Sequence, residues 1–326
     1  MTSIMPVRTS LVGYGYWGSR FAAIAARVPQ LELVGIVDEH VGADDFTPHP
    51  SIPSTANLDA VLTDPRVEAV ILATPATSHA ADGARILEAG KHLFVEKPFT
   101  TDLHSCDALI VMATSRDLSL AVDHQYWWSA EVEAIRTCIA SGGLGRIVAV
   151  SVERSGDGPA RYDVDALWDR GIHDISVLLQ IGVDISRPKD ICRVDVRDGR
   201  VAGCVRLTGR FGEGALALSL HSCWMGDERR RLVVTGAAGS VVWTEDAEKS
   251  SAYLVDDVGS HLLSETPKSA PMTPIERGLR EFAESVRHCP DRSRAVMATR
   301  VIRMMHELDN SSMDSRLVLT AQGCWL

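Results

Sequence analysis

The chain of 326 residues lacks any run of lysine and arginine that would form a basic stripe, and its formal net charge is −10. This balance argues against nucleic acid or an anionic membrane as the main partner. No apolar segment reaches membrane-spanning length, and none precedes Leu11 as the core of a secretion signal would. These absences predict a cytoplasmic protein.

The seven cysteines are scattered, odd in number and never spaced as a C-x-x-C pair. In a chain of this size they are typical of reduced cytosolic thiols, not of a disulfide framework or a zinc site. We therefore expect no metal site. The proportions of apolar residues (45%) and charged residues (23%) are those of a globular protein, and the length is sufficient for two domains with separate cores.

The first third of the chain alternates short apolar runs with helical patterns. Strands are predicted at 7–12, 31–38, 67–73, 92–96 and 118–123, with a weak strand near Ile52. Strands that alternate with helices indicate βαβ units and a parallel sheet. The predicted fold class is therefore α/β, with an N-terminal domain of the Rossmann type.

The second half of the chain shows a different pattern of predicted helices and strands. Helices are predicted at 129–140, 169–181, 275–288 and 292–309, and strands at 190–196, 200–211, 215–222, 230–235 and 240–243. Short turns such as Asp198-Gly199 and Gly212-Glu213-Gly214 join the strands, which predicts a C-terminal α+β domain with a large open, mostly antiparallel sheet. Residues 260–274 are rich in Pro and Ser and are predicted to form a loop.

Gly13-Tyr14-Gly15-Tyr16-Trp17-Gly18 follows an apolar strand and opens a predicted helix. In this context the G-x-G-x-x-G pattern indicates a dinucleotide site. Gly13 permits a tight turn, Gly15 lets the backbone approach the pyrophosphate, and Gly18 lets helix and strand pack closely. The helix N-terminus, which includes Tyr16 and Trp17, stabilises the phosphates through its free N–H groups. A glycine-rich turn without a ligand is the alternative.

Asp38 ends the second predicted strand, where an acid that binds the adenosine 2′-hydroxyl is expected. A carboxylate there would repel a 2′-phosphate, and the nearby Glu39, Asp44 and Asp45 add to this repulsion. No lysine or arginine lies close by in the sequence. These features predict NAD as the cofactor, with NADP disfavoured. The domain bounds are predicted as 1–124 for NAD binding and 125–326 for substrate binding and oligomerisation.

Glu96-Lys97-Pro98 ends a predicted strand at the edge where parallel α/β sheets bind ligands. A lysine before a proline, taken alone, is more often a surface strand end. Here the segment resembles the E-K-P signature of the Gfo/Idh/MocA family of sugar and cyclitol oxidoreductases. Ala73-Thr74-Pro75 with His79 is similar to that family's nicotinamide-side loop. The resemblance implies that Thr74, Pro75, His79 and Glu96 belong to the cofactor site, and that Lys97 lies beside nicotinamide and substrate.

Asp169 and His173 are four residues apart on a predicted helix, so they share one face. An imidazole that titrates near neutrality suits the removal of a hydroxyl proton during hydride transfer, and a carboxylate can fix its tautomer. A helix-capping Asp with a packed core His is the alternative. The family resemblance implies the first interpretation, with His173 as the catalytic acid/base and Asp169 beside it in the substrate pocket.

The stretch 154–176 is similar to a subgroup of nucleotide-sugar 3-dehydrogenases and 3-ketoreductases. The residues that carry this similarity are Arg154, Gly158, Arg161, Asp163, Leu167, Trp168, Asp169, His173, Asp174 and Ser176. The chain departs from the subgroup at Asp165 (Asn expected), at Ile172 (Pro expected) and over 125–128. The resemblance implies that Arg154 and Arg161 clamp a pyrophosphate and that Tyr126 contacts the substrate. Solvated arginines and core aromatics are the alternatives.

Together these features predict an NAD(H)-dependent oxidoreductase that interconverts a secondary alcohol and a ketone on a sugar ring. A nucleotide-linked sugar, reacting at C3, is the leading substrate, and an inositol or free-sugar (cyclitol) dehydrogenase is the alternative. A non-catalytic, dinucleotide-binding regulator is disfavoured by the presence of Lys97, Asp169 and His173. Apolar area on the uncovered face of the C-terminal sheet would favour a homodimer or homotetramer.

Overall fold

A computed structural model describes residues 5–320, except 45, 48, 158–160, 162, 198–200 and 213–215. The chain divides into two compact units, Met1–Gln125 with Met272–Ile302, and Tyr126–Pro271 with Arg303–Leu326. The sequence-based bounds instead assign 272–302 to the second domain. In the structure Phe282 packs against Phe94, with ring centroids 5.5 Å apart, which groups this segment with the first unit. A helix that returns to an earlier sheet leaves no mark in the local sequence pattern.

The first unit contains a six-stranded parallel sheet. Its strands are β1 (Val7–Val12), β2 (Leu31–Val37), β3 (Ser54–Thr55), β4 (Ala69–Leu72), β5 (His92–Glu96) and β6 (Leu120–Asp123). They pair in the order β3-β2-β1-β4-β5-β6. The order reverses between β1 and β4, and ligands of doubly wound sheets bind at the carboxyl ends of strands around such a reversal.

Helices connect these strands. They are α1 (Tyr16–Ala25), α2 (Leu58–Leu62), α3 (His79–Glu88) and α4 (Leu103–Ser115). Strands β4 and β6 are buried along their whole length, because a parallel sheet is covered on both faces and its strands read as continuous apolar runs. Asp102 begins α4 by accepting a hydrogen bond from the Ser105 N–H at 2.8 Å.

The second unit contains a nine-stranded, mostly antiparallel sheet. Its strands are β7 (Ile147–Ser155), β8 (Lys189–Arg197), β9 (Ala202–Phe211), β10 (Leu216–Cys223), β11 (Arg229–Gly236), β12 (Ser240–Glu245), β13 (Lys249–Val255), β14 (Ser260–Pro267) and β15 (Arg316–Thr320). The order is β14-β13-β12-β11-β7-β10-β9-β8-β15, with parallel pairs at β7/β10 and β8/β15. The predicted fold class is confirmed.

Alternate residues of this sheet are buried on one face. In β7, Val150, Val152 and Arg154 are buried, whereas Ser151 and Glu153 between them are not. The remaining helices are α5 (Ala130–Ala140), α6 (Ile172–Gln180), α7 (Pro274–His288) and α8 (Ser293–Ser311).

The second unit departs from the sequence prediction in several places. Residues 260–267 form β14 instead of a loop, because the polar strand is held by its ladder to β13 rather than by apolar alternation. Strands β7, β13 and β15 were not predicted. The helix expected over 169–181 begins with a π-helical turn, Leu167–Gly171, before α6. Gly158, Asp45 and the turn residues at 198–199 and 213–214 lie outside the described residues.

The prediction that the cysteines form no disulfide is wrong for one pair. Cys204 and Cys223 lie opposite each other on β9 and β10 and are joined by a disulfide, although they are 19 residues apart in sequence. Strand register, which cysteine spacing does not reveal, brings them together. His221 lies on the same face, with its potential ligand atoms within 4.8 Å of both sulfurs. The absence of a metal stays a prediction.

Among the described residues, no helix combines the length and the apolar character needed to cross a membrane.

Candidate active site

The glycine turn joins β1 to α1. Gly13 has φ +89°, and a Cβ there would lie 2.6 Å from the Ala73 carbonyl oxygen. A Cβ on Gly18 would lie 2.0 Å from the Gly13 carbonyl oxygen, so these two glycines are required by packing. A Cβ on Gly15 would meet nothing within 4 Å. The turn therefore leaves open space at the one glycine that should face a pyrophosphate, and the residues present fit a dinucleotide.

Asp38 follows β2 and is fixed beside the glycine turn. Its Oδ2 accepts a hydrogen bond from the Tyr14 N–H at 2.6 Å, and its Oδ1 accepts one from the His40 N–H at 2.9 Å. The carboxylate is therefore oriented by backbone donors and keeps lone pairs for a ligand hydroxyl. Glu39 and Asp44 are exposed nearby in the chain.

A positively charged side chain that is not among the predicted site residues, Arg20, packs against the first turn of α1. Tyr16 is half exposed, and the Arg20 guanidinium lies 3.6 Å from the centre of its ring. Arg20 donates a hydrogen bond to the Tyr16 carbonyl oxygen at 2.8 Å. Trp17 packs edge-on against Tyr16, with ring centroids 5.8 Å apart. Helical spacing of i and i+4 would have identified the Tyr16–Arg20 pair.

His79 connects the two loops of the predicted nicotinamide side. Its ring is buried, with Nδ1 2.8 Å from the Pro98 carbonyl oxygen and Nε2 2.9 Å from the Thr74 carbonyl oxygen. The structure therefore places His79 between the loop containing Thr74 and Pro75 and the E-K-P segment. This arrangement sets the spacing of those loops.

Glu96 and Lys97 lie in a buried cluster of ionisable groups at the carboxyl edge of the six-stranded sheet. Lys97 is only 3% exposed, and its backbone N–H donates a hydrogen bond to Glu96 Oε2 at 2.8 Å. Asp123 is the register partner of Glu96 on β6, and His124 follows it. Burial, and secondly the charge of Glu96, raises the pKa of Asp123 well above its ordinary value, while Lys97 acts in the opposite sense.

His124 responds to the same environment. Burial, together with the positive charge of Lys97, lowers the pKa of His124 to about 3. The predicted first domain ends at His124, and neither Asp123 nor His124 is among the predicted site residues. Their position at the carboxyl end of a parallel strand is the signal that could have identified them.

In the second unit, Asp169 lies in the π-helical turn that precedes α6. Its Oδ1 accepts a hydrogen bond from Arg161 Nη1 at 3.4 Å, and its Oδ2 accepts one from Trp224 Nε1 at 2.8 Å. Arg161 also pairs with Asp163, at 2.6 Å between Nη2 and Oδ2. Isolated π-helical turns frequently occur at functional sites. Trp224 was not predicted, because it contributes through the register of a distant strand.

His173 lies on the first turn of α6 and is buried. The ring of Tyr126 packs edge-on against it, with centroids 5.4 Å apart. The Tyr126 hydroxyl accepts a hydrogen bond from Arg154 Nη1 at 3.1 Å. Tyr126 and its neighbours Trp127 and Trp128 are all buried, which agrees with the core alternative.

Arg154 is enclosed, not available at the surface as the predicted clamp requires. Its guanidinium donates to Asp174 through Nε and Nη2, at 3.0 and 2.5 Å. Burial is the largest single influence and lowers the pKa of this guanidinium, but the charges and hydrogen bonds of Asp174 and Tyr126 together outweigh it, and the net pKa is raised. Arg161 retains a side chain that is 20% exposed.

An ion pair within the chain explains why position 165 carries an acid where the nucleotide-sugar subgroup is expected to have Asn. Asp165 forms an ion pair with Arg193, whose side chain is almost completely buried. Arg193 pairs in addition with Asp195, at 2.7 Å between Nε and Oδ1, and with Asp309. An acid at 165 therefore compensates a buried cation, and its Oδ1 accepts from the Trp168 N–H at 3.0 Å.

Comparison with known proteins identifies the family. The Gfo/Idh/MocA family model, described as an oxidoreductase family with an NAD-binding Rossmann fold, matches residues 7–124. A crystal structure from Magnetospirillum magnetotacticum MS-1, of a protein described as an oxidoreductase, is 30% identical and covers 92% of this chain and 99% of that chain, with a TM-score of 0.74. The chain belongs to the Gfo/Idh/MocA family.

Two further proteins are similar to this Gfo/Idh/MocA member. UDP-N-acetylglucosamine 3-dehydrogenase of Acidithiobacillus ferrooxidans is 32% identical over 193 residues, 58% of each protein. The crystal structure of KijD10, a 3-ketoreductase from Actinomadura kijaniata in complex with TDP-benzene and NADP, is 18% identical, covers 97% of this chain and 99% of that chain, and has a TM-score of 0.79. At that identity the likeness shows the fold. The matches span about half the length of the first curated relatives.

Proposed function

We propose that this protein is an NAD(H)-dependent oxidoreductase that interconverts a secondary alcohol and a ketone on a sugar ring. The observation that carries the proposal is the position of Lys97. It is buried among ionisable groups at the carboxyl edge of the sheet whose first turn has room for a dinucleotide. A buried cation at that edge suits a substrate oxygen that gains negative charge.

Lys97 and His173 divide the proton chemistry. The Lys97 ammonium donates a hydrogen bond to the reacting oxygen and stabilises negative charge on it. The His173 imidazole accepts the hydroxyl proton in oxidation and returns it in reduction, and Asp169 stabilises the charged imidazole. Thr74, Pro75 and Glu96 would hold the nicotinamide, which would accept or supply the hydride.

The leading substrate is a nucleotide-linked sugar that reacts at C3. Support comes from the similarity over 154–176 and from the name of one relative, a UDP-N-acetylglucosamine 3-dehydrogenase. Arg161, which is partly exposed, is the cation we assign to the pyrophosphate. Arg154 then supports the site from within, by holding Tyr126 and Asp174. An oligomer built through the nine-stranded sheet completes the proposal and is testable by light scattering.

Turnover of a substrate panel tests the reaction. Purified protein with NAD is assayed at the reduced-nicotinamide absorbance against nucleotide sugars, free sugars and inositols, with NADP in parallel. We expect turnover of a nucleotide-linked sugar, and at least a hundredfold loss of kcat in Lys97→Ala and His173→Ala. Turnover of inositols or free sugars alone would support the cyclitol alternative. Binding of NAD without any turnover would contradict enzymatic function.

The cofactor site has its own test. Gly15→Ala should leave thermal stability close to wild type, since its Cβ enters open space, but should weaken NAD binding at least tenfold by occupying the pyrophosphate position. Gly203→Ala, whose Cβ would meet only side chains at 3.8 Å, is the matched control with unchanged binding. Equal NAD affinity in both variants would refute the site.

Asp38 supports the proposed preference for NAD. Its fixed carboxylate would accept hydrogen bonds from a ribose hydroxyl and repel a 2′-phosphate. Asp38→Ser should therefore raise the kcat/KM for NADP relative to that for NAD by tenfold or more. Wild-type protein that favours NADP would contradict the assignment.

A further inference from the structure

The indole of Trp224 is directed at Asp169. Strand β10 ends at Cys223, and the next residue, Trp224, is buried and donates its Nε1–H to Asp169 Oδ2 at 2.8 Å. The two residues are 55 positions apart in sequence. This contact joins the end of a sheet strand to the π-helical turn that carries a proposed catalytic carboxylate.

Asp169 is held from two sides. Arg161 approaches the other oxygen, Oδ1, and is itself fixed by Asp163, with Nε 2.9 Å from Oδ1 and Nη2 2.6 Å from Oδ2 of that residue. Among the described residues, Arg161 and Trp224 thus donate to different oxygens of Asp169, and the two donors come from different segments of the chain. Two donors on two oxygens define the plane of the carboxylate, which a single donor does not.

Trp224 is well suited to orient the Asp169 carboxylate. Its backbone N–H donates to the Gly203 carbonyl oxygen at 2.9 Å, and the preceding residue is linked to Cys204 through the disulfide. The start of the side chain is thus tied to β9. An indole is rigid, and its N–H is a donor only, so Oδ2 must present a lone pair to it. An N–H donor bonds more strongly to a carboxylate oxygen than to a neutral carboxylic acid, so the contact favours the ionised form.

We propose that Trp224 is a positioning residue for the reaction, which keeps Asp169 ionised and oriented for its part in catalysis. The inference rests on the proposed function, in which Asp169 acts with His173. Phenylalanine at 224 keeps the bulk of the ring and removes the donor. Because the interaction orients a group used in the transition state, its loss should lower kcat more than it changes KM.

The kinetic test compares two tryptophans that donate to carboxylates. Trp168 Nε1 donates to Asp309 Oδ2 at 2.7 Å, so Trp168→Phe loses the same kind of bond outside the proposed catalytic set. We expect Trp224→Phe to lower kcat about tenfold with KM changed less than threefold, the size expected for a hydrogen bond to a charged group. Trp168→Phe should stay within twofold of wild type. Equal kcat values for the two variants would overturn the proposal.

An NMR measurement decides the contact without any substrate. The seven tryptophans give seven indole N–H signals, and Trp224→Phe identifies one of them by its disappearance. We expect Asp169→Asn to shift that signal and to leave the signal of Trp168 in place. An unmoved Trp224 signal would overturn the inference. Failure of the sugar assays together with a clear shift would instead refute the proposed reaction and retain the contact between Trp224 and Asp169.

Discussion

The two units treat buried charge in opposite ways. At the edge of the six-stranded sheet, Glu96, Lys97, Asp123 and His124 are buried close together, and burial is the largest influence on the pKa values of the last two. In the second unit each buried arginine faces its own carboxylates. Arg154 pairs with Asp174, and Arg193 pairs with three aspartates.

The two units use buried ionisable groups for different purposes. Burial favours the neutral forms of Asp123 and His124. Close ion pairs hold both partners charged, and they fix the positions of attached groups such as Tyr126. The first arrangement suits a place where charge changes during a reaction, and the second suits a support that must not move.

The buried ion pair of Arg154 and Asp174 should give the largest effect. Arg154→Met removes one partner and leaves the Asp174 carboxylate buried and uncompensated, which should lower the free energy of unfolding by about 3–5 kcal/mol. Denaturant unfolding of the variant and wild type measures the difference. The double variant Arg154→Met with Asp174→Leu should recover most of that loss, because no lone charge remains. A loss of less than about 1 kcal/mol in the single variant would show that the pair is not buried in solution.

The sequence predicts the residues at the carboxyl edge of the six-stranded sheet better than the ion pairs and hydrogen bonds of the second unit. Gly15, Asp38 and Lys97 each follow or end a strand, and the carboxyl ends of parallel strands share one edge, so strand order alone brings them together. Asp123 and His124 obey the same rule, although the sequence-based predictions assign them no part in the site.

The second cluster depends on contacts that local patterns do not encode. Arg193 pairs with Asp165 and Asp309, which lie 28 and 116 positions away. Trp224, which follows β10, donates to Asp169 across 55 positions of the sequence. Periodicity identifies strands but does not give the order of nine of them, so the partners of Arg154 and Asp169 could not be predicted.

The second-largest expected effect is a pH dependence of stability caused by His124. Its pKa is about 3 in the folded protein and about 6.5 in the unfolded chain, so between these values the unfolded chain binds more protons. Stability must therefore fall as pH falls through this window, by up to about 1.4 kcal/mol per pH unit. His124→Gln should remove this slope between pH 4 and 6, measured by urea unfolding at several pH values. The exposed His40→Gln is the control and should retain it, and parallel curves for both variants would contradict burial of a neutral imidazole.

The smallest expected effect is a pH-dependent difference in stability that reports the protonation of Asp123. Its pKa is raised by burial and by Glu96, so above the unfolded value of about 3.9 the folded protein binds the extra proton and stability falls as pH rises. Asp123→Asn imitates the protonated acid and has no such slope. We expect its free energy of unfolding to match wild type near pH 4 and to exceed it at pH 8. Asp107→Asn, on the exposed side of α4, should show no such gain.

A loss of stability in Asp123→Asn at pH 8 would mean that the carboxylate is ionised and paired with Lys97. In that case the first cluster would hold charge by pairing, as the second does, and the contrast between the units would disappear. A gain would mean that Lys97 has Glu96 as its main counter-charge, with a neutral acid beside it. Lys97 would then donate to a substrate oxygen without a second carboxylate competing for its ammonium.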